Sequence, residues 1–190
     1  MQDGNTSVDD TALWAYEHDA WAQGYVRVVG VDEAGRGPMA GPVVAAAVVL
    51  PRHQSIPAVA DSKTLSPEQR ETIAGQLRSD PNVSVAVAFS DTSVIDQVNI
   101  LRATTSAMCR AVGALDPPAD FVLVDGRPVD GFPVPSQAIV KGDAKSPSIA
   151  AASIIAKVTR DRHMLDLDRQ YPEYGFARHK GYCTADHIAA

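Results

Sequence analysis

The apolar and polar positions along the chain change period several times, and each change marks an element. Residues 8–23 set acids among Leu13, Trp14, Tyr16 and Trp21, the spacing of an amphipathic N-terminal helix. Residues 26–31, VRVVGV, are short and β-branched and predict a strand. Residues 42–50, PVVAAAVVL, predict a second strand, buried on at least one face. Ser66-Pro67-Glu68-Gln69 is a helix start: serine as cap, proline at the first helical position and glutamine placed to close a capping box. That helix is expected to run to about Arg78, ahead of Asp80-Pro81.

Further on, residues 83–89 alternate at period two and predict a third strand. Residues 92–115 carry Val94, Ile95, Val98, Leu101, Met108, Ala111, Val112 and Leu115 at helical spacing, ended by Pro117-Pro118. FVLVD at 121–125 and QAIV at 137–140 read as short strands. Ser146-Pro147 repeats the cap-and-proline signal and opens a long helix. Residues 175–183 read as a loop, after which Thr184 caps a last helix.

Strands alternating with helices predict an α/β fold, with helices packed on a sheet. In such sheets ligands bind at the carboxyl ends of strands. The 26–31 strand runs into Asp32-Glu33, and the 121–125 strand ends on Asp125. If those strands are parallel neighbours, their acids converge. Asp143 lies in the turn after the next strand.

Composition changes the picture little. Hydrophobic residues make up 45% and charged residues 21% of 190, the balance of one ordinary globular domain. The two cysteines, Cys109 and Cys183, have neither CxxC nor zinc-finger spacing and are expected as reduced thiols. The longest apolar run, 42–51, is far shorter than the roughly 20 residues a membrane span needs. The first 24 residues hold five acids and no Lys or Arg, unlike a targeting segment, so the expected location is cytoplasmic.

Charge is distributed unevenly. The net charge is −6, of which −5 lies in the first 24 residues, whereas residues 141–182 hold eight Lys/Arg against five acids. A phosphate backbone responds to the local potential.

Four carboxylates drawn to one point repel one another and call for a counter-ion. Oxygen donors suit Mg²⁺ or Mn²⁺. Two such ions about 3.5–4 Å apart activate water and stabilise the leaving oxygen in phosphodiester hydrolysis. Each acid also has a plainer reading: Asp125-Gly126 and Gly142-Asp143 are ordinary turn dipeptides.

The string from Asp32 to Pro42, DEAGRGPMAGP, adds Gly35 and Gly37, which permit close backbone approach, and Arg36, whose forked donors suit phosphate. Gly35-x-Gly37-x-x-Ala40 formally fits a dinucleotide fingerprint. That reading fails because Pro42 and a β-branched run follow where a helix is needed, and because two acids would face a pyrophosphate. The chain contains no GK[ST] string, so a P-loop fails too.

DEAGRGPMAGPVVAAAVVL at 32–50 resembles the signature of the ribonuclease HII family. So do ADSKTLS at 60–66, IDQVNILRAT at 95–104, VLVDG at 122–126, VKGDAKSPSIAAASIIAKVTRDRHM at 140–164 and YPEYGFARHKGY at 171–182. These blocks cover most of the chain in family order. The resemblance implies a ribonuclease H-like mixed sheet flanked by helices, with a helical C-terminal part. It implies a catalytic domain over 25–190 after an N-terminal helical extension, 1–24. The implied substrates are RNA·DNA hybrids and single ribonucleotides in duplex DNA, cut 5′ to the ribonucleotide to leave a 3′-hydroxyl and a 5′-phosphate.

The family's metal-binding acids fall on Asp32, Glu33, Asp125 and Asp143, with Mn²⁺ or Mg²⁺ as cofactor. Its glycine-arginine-glycine element falls on Gly35, Arg36 and Gly37, and its tyrosine on Tyr182. The 2′-hydroxyl is the group that separates RNA from DNA, and reading it needs backbone brought close. Ser62, Lys63, Lys141, His179 and Lys180 are candidate phosphate contacts or solvated loop residues. Lys157 and Arg160, one helical turn apart, face either phosphates or water. Ser153 is a candidate core-facing hydroxyl.

The chain departs from the family in two places: Val94 stands where glutamate is common, and an HRRSF-like block is not reached. No membrane contact and no protein partner is evident, and no sliding-clamp motif is present. Two other functions compete: a module that holds hybrids without cutting, and a metal-dependent phosphatase for small phosphates. The first has no need of four intact acids, and the second has no need of Tyr182 or the glycine-arginine-glycine element.

Overall fold

The computed structural model describes residues 13–52 and 65–190. Five strands form one sheet in the order β3-β2-β1-β4-β5. They are β1 (Val28–Ala34), β2 (Val43–Val49), β3 (Ser84–Ser90), β4 (Phe121–Asp125) and β5 (Ser136–Ile139). The β1-β2 and β2-β3 pairs are antiparallel, while β1-β4 and β4-β5 are parallel, so the sheet is mixed.

The helices are α1 (Ala15–Ala22), α2 (Pro67–Ser79), α3 (Thr92–Val98), α4 (Ile100–Gly113), α5 (Pro147–Gln170), α6 (Phe176–His179) and α7 (Ala185–Ala189). The three predicted caps form as read. Ser66 and Gln69 close a reciprocal capping box, Ser146 accepts from Ile149 N–H, and Thr184 accepts from His187 N–H.

Both faces of the sheet are covered, which is why every residue of β2 is buried. On one face Val29, Val31, Val122 and Val124 pack with Ala107, Met108, Ala111 and Val112 of α4. On the other, α5 lays Ala150, Ala151, Ala152, Ile154 and Ile155 against Ala46 and Val48, with α2 alongside. The small residues let α5 come close. At Gly30 a Cβ would run into the Ser148 backbone, so only glycine admits the helix there. Residues 13–24 do not stand apart from this core, since Trp14 and Ala20 are buried in it.

Three expectations are corrected. β1 does not stop at Val31; it continues through Asp32 and Glu33 because β2 keeps pairing with it, Asp32 with Ala46 and Glu33 with Ala45. The 92–115 segment is two helices, because Asn99 adopts φ 70°. Asn99 ends α3 and caps α4 through its side chain, which accepts from Arg102 N–H at 3.1 Å. Residues 175–183 contain the one-turn α6. The two cysteines are unpaired thiols, as expected. Among the described residues no helix is long and apolar enough to cross a membrane.

Candidate active site

The site begins with strand register. β1 and β4 run parallel with Val31 opposite Val124, so the next row sets Asp32 beside Asp125. Side chains alternate along a strand, and Val31 faces α4, so Asp32 faces α5. Asp125 in turn pairs with Ile139 of β5. Beyond Ile139, Lys141 takes a left-handed conformation and starts the short 3₁₀ turn Gly142–Ala144 that carries Asp143. Asp125 Oδ1 accepts a 2.6 Å hydrogen bond from Gly142 N–H, which ties this turn to β4. At Gly142 a Cβ would sit 2.6 Å from Ile149 Cδ1 and 3.3 Å from Asp125 Oδ1, so a side chain there would require the end of Ile149 to shift.

Asp32 is 6% exposed. Burial holds its carboxyl well above the usual aspartate range, and the neighbouring charges of Glu33 and Asp125 push the same way. The Ser153 hydroxyl and the Glu33 N–H, the latter 2.7 Å from Oδ1, pull it back down. Ser153 is therefore not merely core-facing; it hydrogen-bonds to an acid of the site. Glu33 pairs with Arg36 at 3.1 Å. Asp143 is buried.

Among the described residues no three His, Cys, Asp or Glu side chains stand close enough together to hold a metal ion. Like charges in a crowded, partly buried setting spread apart unless a cation draws them in. The donors are all carboxylate oxygens, and the burial and mutual repulsion at Asp32 favour a hard divalent cation.

Two loops frame the acids. Gly35 takes φ 114°, and a Cβ there would meet Pro42 O and lie 2.7 Å from Arg160 Nε, so its glycine serves internal packing. Gly37 differs: a Cβ would find only Tyr182 Cε1, at 3.8 Å, and the space is otherwise open. Tyr182, 46% exposed, thus lies against Gly37, although they are far apart in sequence. Lys157 Nζ stands 5.7 Å from the centre of the Tyr182 ring.

Arg160 overturns the expectation of a surface cation. It is 1% exposed, and its guanidinium donates to Pro42 O (3.0 Å), Lys180 O (2.9 Å) and Ala40 O (2.9 Å). It joins the glycine loop to the Tyr182 loop. Sequence spacing missed this because a polar residue on a helix reads as solvated; its partners are carbonyls, which carry no sequence signal.

His179 is also corrected. It is buried, its Nε2 pairs with Tyr174 O at 2.8 Å and its Nδ1 accepts from Gly181 N–H at 3.2 Å, so neither nitrogen is turned outward to a phosphate. The Lys180 ammonium donates to Ala177 O within its own turn. Lys141 is exposed beside Asp143. Ser62 and Lys63 lie outside the described residues.

A mixed sheet with acids set side by side on its central parallel strands, crossed by one long helix, defines the ribonuclease H class of fold. A solved ribonuclease H2 from Pyrococcus horikoshii superposes with a TM-score of 0.74 at 31% identity, covering 86% of this chain and 83% of that one. The ribonuclease HII family model matches residues 29–190. The ribonuclease HII of Geobacillus kaustophilus is 52% identical over 178 residues, 94% of this chain and 68% of that protein. That of Geobacter metallireducens is 51% identical over 183 residues, 96% of this chain and 85% of that protein. The chain belongs to the ribonuclease HII family, and it is a ribonuclease H endonuclease, a hydrolase.

Proposed function

We propose that the protein cuts the phosphodiester on the 5′ side of a ribonucleotide, in RNA·DNA hybrids and at single ribonucleotides within duplex DNA, leaving a 3′-hydroxyl and a 5′-phosphate. Asp32, Glu33, Asp125 and Asp143 would hold two divalent cations, Mn²⁺ or Mg²⁺, which when bound would supply Lewis-acid activation of water and stabilisation of the leaving oxygen. The observation that supports this reading is the parallel register of β1 and β4, with Val31 opposite Val124 one residue before Asp32 and Asp125.

The other residues address the substrate. Gly37 leaves the backbone open beside Tyr182, which suits close approach to a ribose 2′-hydroxyl. The half-exposed Tyr182 ring offers a flat apolar face to the sugar on the DNA side of the junction. Arg36 holds Glu33 in the free protein and can turn to a phosphate when Glu33 turns to a cation. Lys157, near the Tyr182 ring and paired with Asp161, and the exposed Lys141, two residues before Asp143, are the lysines offered to the nucleic acid backbone. Ser62 and Lys63 retain their expected phosphate contacts as part of this proposal.

The test is a nicking assay on a DNA duplex carrying one ribonucleotide, with Mn²⁺ or Mg²⁺. A single nick 5′ to the ribonucleotide, with the all-DNA duplex untouched, is expected. Equal cutting of both duplexes, or hydrolysis of small phosphate esters in its place, contradicts the proposal. Tight hybrid binding without any cut identifies a binding module.

A further inference from the structure

The chain around Tyr182 is held by two histidines that the proposed reaction does not use. His179 and His187 are 7% and 8% exposed, and their rings stack with centroids 4.2 Å apart and planes within 15°. Phe176 meets both edge-on, at 5.9 Å and 5.6 Å. A buried polar ring needs hydrogen-bond partners, and here they are the backbone of residues 174, 181 and 182.

Lys180 and Gly181 are both left-handed, at φ 51° and 82°. This turn directs Gly181 N–H inward, where His179 Nδ1 accepts it at 3.2 Å. A backbone N–H only donates, so the His179 ring proton sits on Nε2 and is given to Tyr174 O. On the other side His187 Nδ1 lies 2.9 Å from Tyr182 O; a carbonyl only accepts, so His187 carries its proton on Nδ1. Tyr182 N–H is itself donated to His179 O at 2.8 Å. Tyr182 N–H thus goes to the main-chain carbonyl of His179, and Tyr182 O accepts from both the His187 ring and Thr184 N–H (2.9 Å), while the Tyr182 side chain projects outward against Gly37.

We infer that the stacked His179–His187 pair is the positioning element for Tyr182, fixing where its ring meets the sugar at the RNA–DNA junction. The inference rests on the proposed junction role of Tyr182. The histidines act through the backbone of Tyr182 and touch no substrate. Their contribution is to the geometry of one side chain, and it vanishes when that side chain is removed.

A double-mutant cycle tests this. His187→Phe keeps the ring in the stack and drops the imidazole donor to Tyr182 O, leaving Thr184 N–H as its donor; His187→Asn keeps an N–H near the Nδ1 position. Cleavage at a single embedded ribonucleotide is expected to fall roughly five- to ten-fold in His187→Phe, the loss of one hydrogen bond's worth of order. His187→Asn is expected to recover most of it. In a Tyr182→Ala background His187→Phe is expected to change the rate by less than about two-fold, because coupled residues are non-additive.

If Tyr182→Ala alone cleaves the junction like the unaltered protein, the junction role and this inference fall together. If Tyr182→Ala is impaired but the two losses multiply, only the positioning role is overturned. His179→Asn, which keeps an acceptor for Gly181 N–H but drops the link to Tyr174 O, repeats the cycle from the other side should His187→Phe not fold. Wild-type junction cleavage by His179→Asn and by every folded His187 variant also overturns it.

Discussion

Asp125 and Gly142 are joined by a 2.6 Å hydrogen bond, so the strand carrying one acid is latched to the turn carrying another. The bond uses Oδ1, an atom that asparagine also possesses. Asp125→Asn is therefore expected to fold, with a melting temperature no lower than that of the unaltered metal-free protein, and to bind hybrid, while turnover falls on the order of 100-fold or more. Asp125→Ala is expected to lose the latch as well, with a lower melting temperature. Calorimetry beside a cleavage assay checks both; full turnover in Asp125→Asn removes the catalytic role.

Asp32 titrates well above the usual aspartate range because it is buried and faces Glu33 and Asp125. A carboxyl with a raised folded-state pKa binds its proton more tightly in the folded chain than in the unfolded one. The stability of the metal-free protein therefore falls as pH rises from the ordinary aspartate range towards that raised value. Asp32→Asn removes this loss, and is expected to stabilise the metal-free protein at pH 8 by about 1 kcal/mol while abolishing cleavage. Denaturant melts at pH 8 and in acid give the answer. Equal stability of the two proteins at pH 8 contradicts the electrostatic crowding.

Glu17 is another buried acid. Its Oε1 accepts from the Ser146 hydroxyl at 2.6 Å and from Ser148 N–H at 3.1 Å, at the start of α5, while Oε2 has no partner among the described residues. Burial raises its pKa, and the bonds from Ser146 and Ser148 offset part of that. The sign is again a loss of stability as pH rises from the ordinary glutamate range through the raised value. Glu17→Gln keeps the accepting oxygen and cannot ionise. It is expected to flatten that slope without loss of the helix start, as read by thermal melts across pH. An unchanged slope assigns it to other groups.

Arg160 donates to three carbonyls with the spread of one guanidinium, a geometry an ammonium lacks. Arg160→Lys is expected to cost roughly 3 kcal/mol, since buried acceptors lose their donors. It is also expected to weaken junction cleavage, because the Gly35–Gly37 and Tyr182 loops lose their shared tie. Near-wild-type stability in urea melts contradicts the buried role.

The sequence was most informative where local chemistry decides the structure. Ser66-Pro67 and Ser146-Pro147 start helices through their own side chains, and β2 follows Pro42 because a β-branched run cannot continue as the helix a dinucleotide site needs. The meeting of Asp32 with Asp125 was legible only conditionally, since it depends on two strands being parallel neighbours. The break at Asn99 was hidden because the apolar spacing of α3 continues into α4 across it. Arg160 and His179 were misread for one shared reason. Their partners are backbone groups, up to 120 residues away for Arg160 and within five residues for His179, and the burial of a polar side chain by such groups leaves no trace in spacing.

Titration of the protein with Mn²⁺, followed by calorimetry for the wild type and for Asp32→Asn, Asp125→Asn and Asp143→Asn, bears most directly on whether these acids share their cations. Saturable binding is expected for the wild type, with affinity at least about ten-fold weaker in each variant, all three remaining folded. Wild-type affinity in any one of them, above all in Asp125→Asn, rules out cations shared among these acids.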